Sequence, residues 1–268
     1  MKTGSVKTSQ IKLFQKKIFS WWNENKREFP WRKTTDPYHI MVSEVMLQQT
    51  QASRVSVKYI DFIENFPTLE KLSKASKTDV LSLWSGLGYN RRAIWLQEAA
   101  QTVLELGEFP QTPEELIKLK GIGPYTARSI LIFAYNLDIA TVDTNIRRIL
   151  IAEKFADEET SEKQLFEIAA ELVPPGRSRD WHNAMMDYGA IIATARKTGI
   201  SPPSTQPSFK DSNRERRGQI LKFILESKEV SLEDLRKLLN LDKDTIEEIL
   251  DKMVKEGLVS KIKNKYVV

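Results

Sequence analysis

Apolar residues recur at helical spacing through most of the chain, and alternating strand-like runs are scarce before the last few residues. In the first such stretch Ile11, Phe14, Ile18, Trp21 and Trp22 make one face of a helix that runs to Asn25. Phe29-Pro30-Trp31-Arg32 breaks the pattern. Asp36-Pro37 restarts it, because aspartate caps a first turn and proline is preset for the first helical position. The next helix carries Ile40, Val42, Ser43, Glu44, Val45, Met46 and Leu47, then ends in Gln48-Gln49-Thr50-Gln51. Periodicity predicts further helices over 53–65, 68–75, 78–83, 93–106, 113–119, 125–133, 161–172 and 181–195.

From Lys197 to Asn213 the composition turns to Thr, Gly, Ser, Pro and Gln, which reads as a linker. Beyond it three amphipathic patterns, 214–226, 231–239 and 244–256, precede two short strands around Lys263-Asn264-Lys265, the layout of a winged helix. The expected organisation is an all-α protein, with a helical domain over 1–196, a linker over 197–213 and a small winged-helix domain over 214–268.

Composition narrows the chemistry. The 268 residues can bury a substantial core. A net charge of +5 suits a polyanionic partner without requiring one, since both signs are abundant. The absence of cysteine excludes disulfides and any iron-sulfur cluster held by thiolates, and two histidines, His39 and His182, argue against a protein-held zinc centre. Met1 to Gln10 is polar, and no apolar run approaches the ~18 residues of a membrane span, so an intracellular protein, cytoplasmic or nucleoid-associated, is expected.

Candidate chemistry concentrates between Leu116 and Asn145. Leu-X-X-Leu-X-Gly-Ile-Gly-X-X-Thr-Ala places Gly121 and Gly123 between two helical patterns. Glycine permits a tight turn at positive φ, and bare amides at the mouth of the second helix suit a phosphate. Thr-Val-Asp-Thr-Asn follows, with Asp143 where the next helix should begin. At a helix N-terminus Asp143 should stay ionised, whereas Glu44, flanked by apolar residues, should hold a proton more readily. Two carboxylates with separated pKa values suit acid and stabiliser roles. A second glycine joint, Gly86-Leu87-Gly88-Tyr89-Asn90-Arg91-Arg92, sets an aromatic beside two cations, a combination suited to nucleic acid.

Several long motifs in order, Phe-Pro-Trp-Arg, Ser-Glu-Val-Met-Leu-Gln-Gln-Thr-Gln, Trp-Ser-Gly-Leu-Gly-Tyr, Gly-Ile-Gly-Pro-Tyr-Thr-Ala, Val-Asp-Thr-Asn and Asn-Ala-Met-Met-Asp-Tyr-Gly-Ala, resemble the helix-hairpin-helix DNA glycosylases, and most closely the MutY-type adenine glycosylases, across Phe29 to Arg196. The resemblance implies a two-lobed helical catalytic region acting on a flipped base in double-stranded DNA, as a monomer in base excision repair. It implies that Glu44 protonates the departing adenine, that Asp143 stabilises the positive sugar, and that Asn145 orients the carboxylate or water. Tyr125 stands where the lyase branch has a lysine, which implies hydrolysis without efficient strand cleavage. Trp31, Arg32 and Asp187 match pocket positions. Gln49 and Tyr89 match residues wedged into the base stack, with Gln48, Arg91 and Thr126 as further DNA contacts. Lys120, Gly121, Ile122 and Gly123 would hold phosphate, with a monovalent cation at the hairpin.

Two departures stand out. Where the family commonly carries cysteines for a cluster just after 189–196, this chain has Ala193 and none in the loop that follows. Where MutY proteins typically append a domain that reads 8-oxoguanine opposite the adenine, this chain has the predicted winged helix. The expected activity is excision of adenine opposite guanine or 8-oxoguanine. A thymine or uracil glycosylase for mismatches with guanine, and an inactive DNA-binding regulator, are the alternatives.

Overall fold

The computed structural model describes residues 7–203 and 208–268; the polar start at 1–6 and linker residues 204–207 lie outside them. The helices in chain order are α1 (Thr8–Asn25), α2 (Pro37–Leu47), α3 (Ala52–Asn65), α4 (Leu69–Ser73), α5 (Lys77–Trp84), α6 (Arg91–Leu106), α7 (Pro113–Leu116) and α8 (Pro124–Tyr135). They continue with α9 (Thr144–Ala152), α10 (Glu162–Leu172), α11 (Ser178–Ile191), α12 (Ala195–Thr198), α13 (Asn213–Ser227), α14 (Leu232–Leu239) and α15 (Lys243–Lys255). Pro30–Lys33 is a single 3₁₀ turn. Strands β1 (Glu229–Ser231), β2 (Ser260–Ile262) and β3 (Lys265–Val267) form one antiparallel sheet in the order β1-β3-β2.

Capping explains most boundaries. Asp36 accepts from the amides of Tyr38 and His39 at the start of α2, and Thr68, Ser76, Thr112 and Ser161 cap α4, α5, α7 and α10 in the same way. The helix expected over 181–195 instead stops at Ile191. Thr194 is the reason, because its hydroxyl accepts from the Lys197 amide and starts the separate turn α12. The helix expected to reach Leu119 ends at Leu116, where the glycine hairpin takes over. In the C-terminal region the chain forms three strands rather than two. At three residues β1 is too short for periodicity to show, and it exists because Val230 pairs with Tyr266 across the sheet.

The chain divides into two compact units, each assembled from separated stretches. The first takes the described parts of Met1–Met41, Gln111–Ile117 and Ile122–Thr205. Its core joins Phe14 and Ile18 of α1 to Ile149 and Leu150 of α9, Leu165 and Leu172 of α10, and Trp181 and Met185 of α11. The N-terminal helix thus closes a core whose other members lie more than a hundred residues later. Phe14 meets Trp181 edge-on at 5.7 Å, and Trp21 meets Tyr188 at 5.3 Å.

The second unit takes Val42–Pro110, Lys118–Gly121 and the described part of Gln206–Val268. Phe62, Leu72, Leu81, Trp84 and Leu96 are fully buried in its α3–α6 portion. Ile220, Ile224, Leu235, Ile246, Leu250 and Tyr266 are buried in its C-terminal portion. The order α13-β1-α14-α15-β2-β3 is one that a winged helix takes. Lys77 of α5 donates to the Gly257 carbonyl at 2.9 Å, linking the two portions.

Candidate active site and nucleic-acid interface

In the first unit the apolar run of α8 and the loop after it deliver Asp143 to the start of α9. Asp143 is extended and caps the helix, its Oδ1 accepting from the Ile146 amide at 2.7 Å. Its Oδ2 accepts from the Asn145 side-chain amide at 2.9 Å. Asn145 is oriented in turn by Arg148, which donates to Asn145 Oδ1 at 2.6 Å and to the carbonyls of Gly189 and Ala193. The third party is Gly189. A Cβ there would stand 2.7 Å from the Asn145 Cβ, so only glycine leaves Asn145 its place.

Asp143 opens on a cavity of about 660 Å³ lined also by Tyr125, Arg128, Thr141, Arg147, Lys163 and Phe166. Tyr125 is 37% exposed and supplies a phenol, not an amine, to that wall. Electrostatics here differ from the sequence expectation. Desolvation raises the Asp143 carboxyl above the usual aspartate range, opposed by the bonds from Ile146 and Asn145 and by the Arg148 charge. The residue is half-buried by surface area and borders the cavity, so water reaches part of it, although dense protein surrounds the rest. The helix start favours ionisation, as expected, but burial is the larger effect. Beneath the loop His182 is buried, its Nδ1 bonded to the Ser178 carbonyl at 2.8 Å, which leaves Nε2 to accept from the Thr141 amide.

Trp31, Arg32 and Asp187 do not line that cavity. Asp187 is fully buried and accepts from Arg32 at 2.8 and 3.0 Å, from the side chain and amide of Arg27, and from Trp22. Desolvation pushes its carboxyl up, yet the Arg32 and Arg27 bonds and charge outweigh this and hold it below the usual range. Trp31 is buried and stacks on Phe29 at 4.8 Å. These residues form a buried clasp with Trp22, read in the sequence only as part of the apolar face of α1, and with Arg27, which carries no signal there.

In the second unit Glu44 is 8% exposed, set between the buried Ser43 and Val45 on α2, which agrees with its reading as a poorly solvated carboxylate. The next residues are organised by Arg92, one of the two cations of the second glycine joint. Arg92 is 5% exposed. It donates to the carbonyls of Val45, Met46 and Gln48 and to Thr50 Oγ1, and also to the carbonyls of Leu87 and Gly88. Two of these are carbonyls that the end of α2 leaves without helical partners. Burial lowers its pKa to about 10, so it remains a cation at neutral pH.

One guanidinium thereby ties the 48–50 turn to the 87–89 turn. Gln49 (φ 54°) and Tyr89 (φ 47°), both exposed, sit on these turns in left-handed backbone that non-glycine residues rarely adopt. The hairpin joins them through Gln48, whose amide donates to the Gly121 carbonyl at 3.0 Å. Gly121 needs to be glycine twice over, with φ +76° and a Cβ position 3.1 Å from Trp95. Gly123, by contrast, is extended at φ −91° and leads α8 without a side-chain cap. Arg91 lies over Trp95 at 4.7 Å, and Lys120 is exposed. The side chains of Ile122 and Thr126 are buried, so those two positions offer a ligand only backbone.

The residues present do not fit a thiolate-held cluster. The chain has no cysteine, and buried Ala193 presents its carbonyl to Arg148. No helix among the described residues is long and apolar enough to cross a membrane.

Comparison with known proteins places this arrangement. Residues 42–175 match the model of the HhH-GPD superfamily base excision DNA repair proteins. The chain is 34% identical to the human (Homo sapiens) adenine DNA glycosylase over 228 residues, covering 80% of this chain but 42% of that protein. It is 33% identical to the thymine/uracil-DNA glycosylase of Methanothermobacter thermautotrophicus over 192 residues, 69% of this chain and 87% of the relative. A solved thermostable thymine-DNA glycosylase superposes with a TM-score of 0.65 at 32% identity, over 71% of this chain and 90% of that one. With its glycine hairpin, Val-Asp-Thr-Asn turn and cavity in place, the chain belongs to the HhH-GPD superfamily of base excision DNA repair proteins.

Proposed function

We propose that the chain is a monofunctional DNA glycosylase that hydrolyses the N-glycosidic bond of adenine mispaired with guanine or 8-oxoguanine in duplex DNA. The observation that carries this is the Asp143 turn: a carboxylate fixed by Ile146 and Asn145 on a cavity whose wall offers the Tyr125 phenol and no lysine amine at that position. The target nucleotide is flipped out of the stack, with Gln49 and Tyr89 filling the space beside the base opposite. Glu44 gives its proton to N7 of adenine while the C1′–N9 bond breaks and its electron pair leaves with the base. The Asp143 carboxylate stabilises the oxocarbenium sugar until water adds at C1′ and loses its proton, giving an abasic site. Without a lysine at 125 the strand remains intact. Amides at 120–123 hold a phosphate, with a monovalent cation at the hairpin, and the chain works as an intracellular monomer.

Adenine specificity rests on the run Ser43 to Gln51 and on similarity to adenine glycosylases that extend well beyond this chain. A thymine or uracil glycosylase is the second reading, favoured by the relative that this chain spans over 87% of its length. End-labelled duplexes containing A opposite G, A opposite 8-oxoguanine, T opposite G and U opposite G, developed with and without hot alkali, separate the two. Alkali-dependent breaks at adenine are expected, reduced at least about a hundredfold in Glu44→Gln and lost in Asp143→Asn. Breaks only at thymine or uracil would assign the second reading. Tight binding without base release on any duplex would leave a DNA-binding regulator.

A further inference from the structure

A side chain from the C-terminal portion of the second unit reaches the candidate DNA-contacting loop. Arg214, in the first turn of α13, donates from Nη1 to the Tyr89 hydroxyl at 2.5 Å. Its guanidinium carbon lies 5.3 Å from the Tyr89 ring centroid and 5.4 Å from that of Phe209. The position is built rather than incidental. Ser212 caps the helix that carries Arg214. Arg217, three residues further on, pairs with Glu256 beyond the end of α15, and Lys77 fastens the adjoining Gly257 to α5. On the other side Arg92 fixes the turn that presents Tyr89, with its own guanidinium carbon 5.5 Å from the same ring.

Resting on the reading of Tyr89 as the residue beside the base opposite the target, we propose that Arg214 is a specificity-determining residue that recognises guanine at that opposite position. The chemistry follows from the fork. A guanidinium carries its donors in a rigid plane that matches the O6 and N7 acceptors of guanine, whereas cytosine offers a donor amine on the corresponding edge. Tyr89 supplies the ring against which that base lies, and its hydroxyl aims the fork. The C-terminal portion thus contributes a base-reading side chain to an edge otherwise made by α2 and α6. Phosphate attraction alone would need a positive charge but no fork.

The test compares adenine release under single-turnover conditions, and duplex binding by fluorescence anisotropy, for A opposite G, 7-deazaguanine and C. The parent, Arg214→Ala and Arg214→Lys are compared, with circular dichroism to confirm folding. The parent is expected to favour G over both C and 7-deazaguanine, and the G-to-C ratio to fall roughly tenfold in both variants, because lysine keeps the charge and loses the fork. A parent-like ratio in Arg214→Lys would reduce the residue to a phosphate contact and overturn the proposal. An equal loss on every opposite base would do the same, marking Arg214 as a brace for Tyr89. Binding decides these outcomes even if no adenine is released, a result that would overturn the adenine reading by itself.

Discussion

Each unit of the molecule is organised by a buried arginine, and the two are used differently. In the first unit Arg148 acts on a carboxylate through an intermediary: it orients Asn145, and Asn145 donates to Asp143. In the second unit Arg92 donates to five carbonyls and one hydroxyl, none of them a carboxylate. The end of α2 replaces the missing counter-charge, because its last carbonyls are unpaired within the helix and carry the negative end of its dipole. A cation that acts through a fixed neutral amide suits a carboxylate whose ionisation must be held against desolvation. Neutral acceptors suit a device whose task is shape, here the holding of two turns in left-handed backbone.

The contrast can be broken most forcefully at Arg92. Arg92→Met keeps much of the volume and removes the donors, leaving the buried Val45 and Met46 carbonyls unpaired by it, and about 4 kcal/mol of stability should be lost in urea unfolding. Binding to duplex DNA should weaken with it, as the turns carrying Gln49 and Tyr89 relax. A loss under about 1 kcal/mol would show that the turns hold themselves.

On the acid side pH is the sharper tool. Burial depresses the pKa of His182 to about 4 in the folded chain, against ~6.5 when unfolded. The unfolded state therefore binds the proton first. His182 contributes its full stability above ~6.5 and loses it as pH falls towards 4, by up to about 3 kcal/mol. Thermal melts between pH 7 and 4 should show that slope, and His182→Gln should remove its share. A slope unchanged by the substitution would assign the acid lability elsewhere.

The smallest expected effect tests the intermediary. Gly189→Ala builds a methyl 2.7 Å from the Asn145 Cβ. It should displace Asn145, cost about 2 kcal/mol of stability, and slow base release about tenfold as Asp143 loses its oriented donor. A parent-like rate would show that Asn145 is not needed to align Asp143.

Much of this architecture is legible in the sequence. The N-caps Asp36 and Asp143, the hairpin glycines and the buried Glu44 can be read because each follows a local rule: a side chain that bonds amides two or three residues on, a turn requiring φ above zero, a carboxylate inside an apolar run. Local chemistry also misleads. Arg92 resembles its exposed neighbour Arg91, and only the approach of α2 to the glycine joint turns it inward. Nor does local chemistry reveal that Asp187 is held by Arg27 and Arg32, some 160 positions away. Strand β1 is invisible in the sequence because three residues carry no period, and pairing with β3 alone makes it a strand.

By itself, then, the sequence determined most of the helices, several of their caps and the glycine turns, all of which follow from interactions within a few residues. Tertiary structure decided which arginines are buried and what they hold, that burial outweighs the helix start at Asp143, and that Arg214 is seated on Tyr89. Those outcomes depend on desolvation and on acceptors brought from far along the chain. Neither can be read from any single stretch.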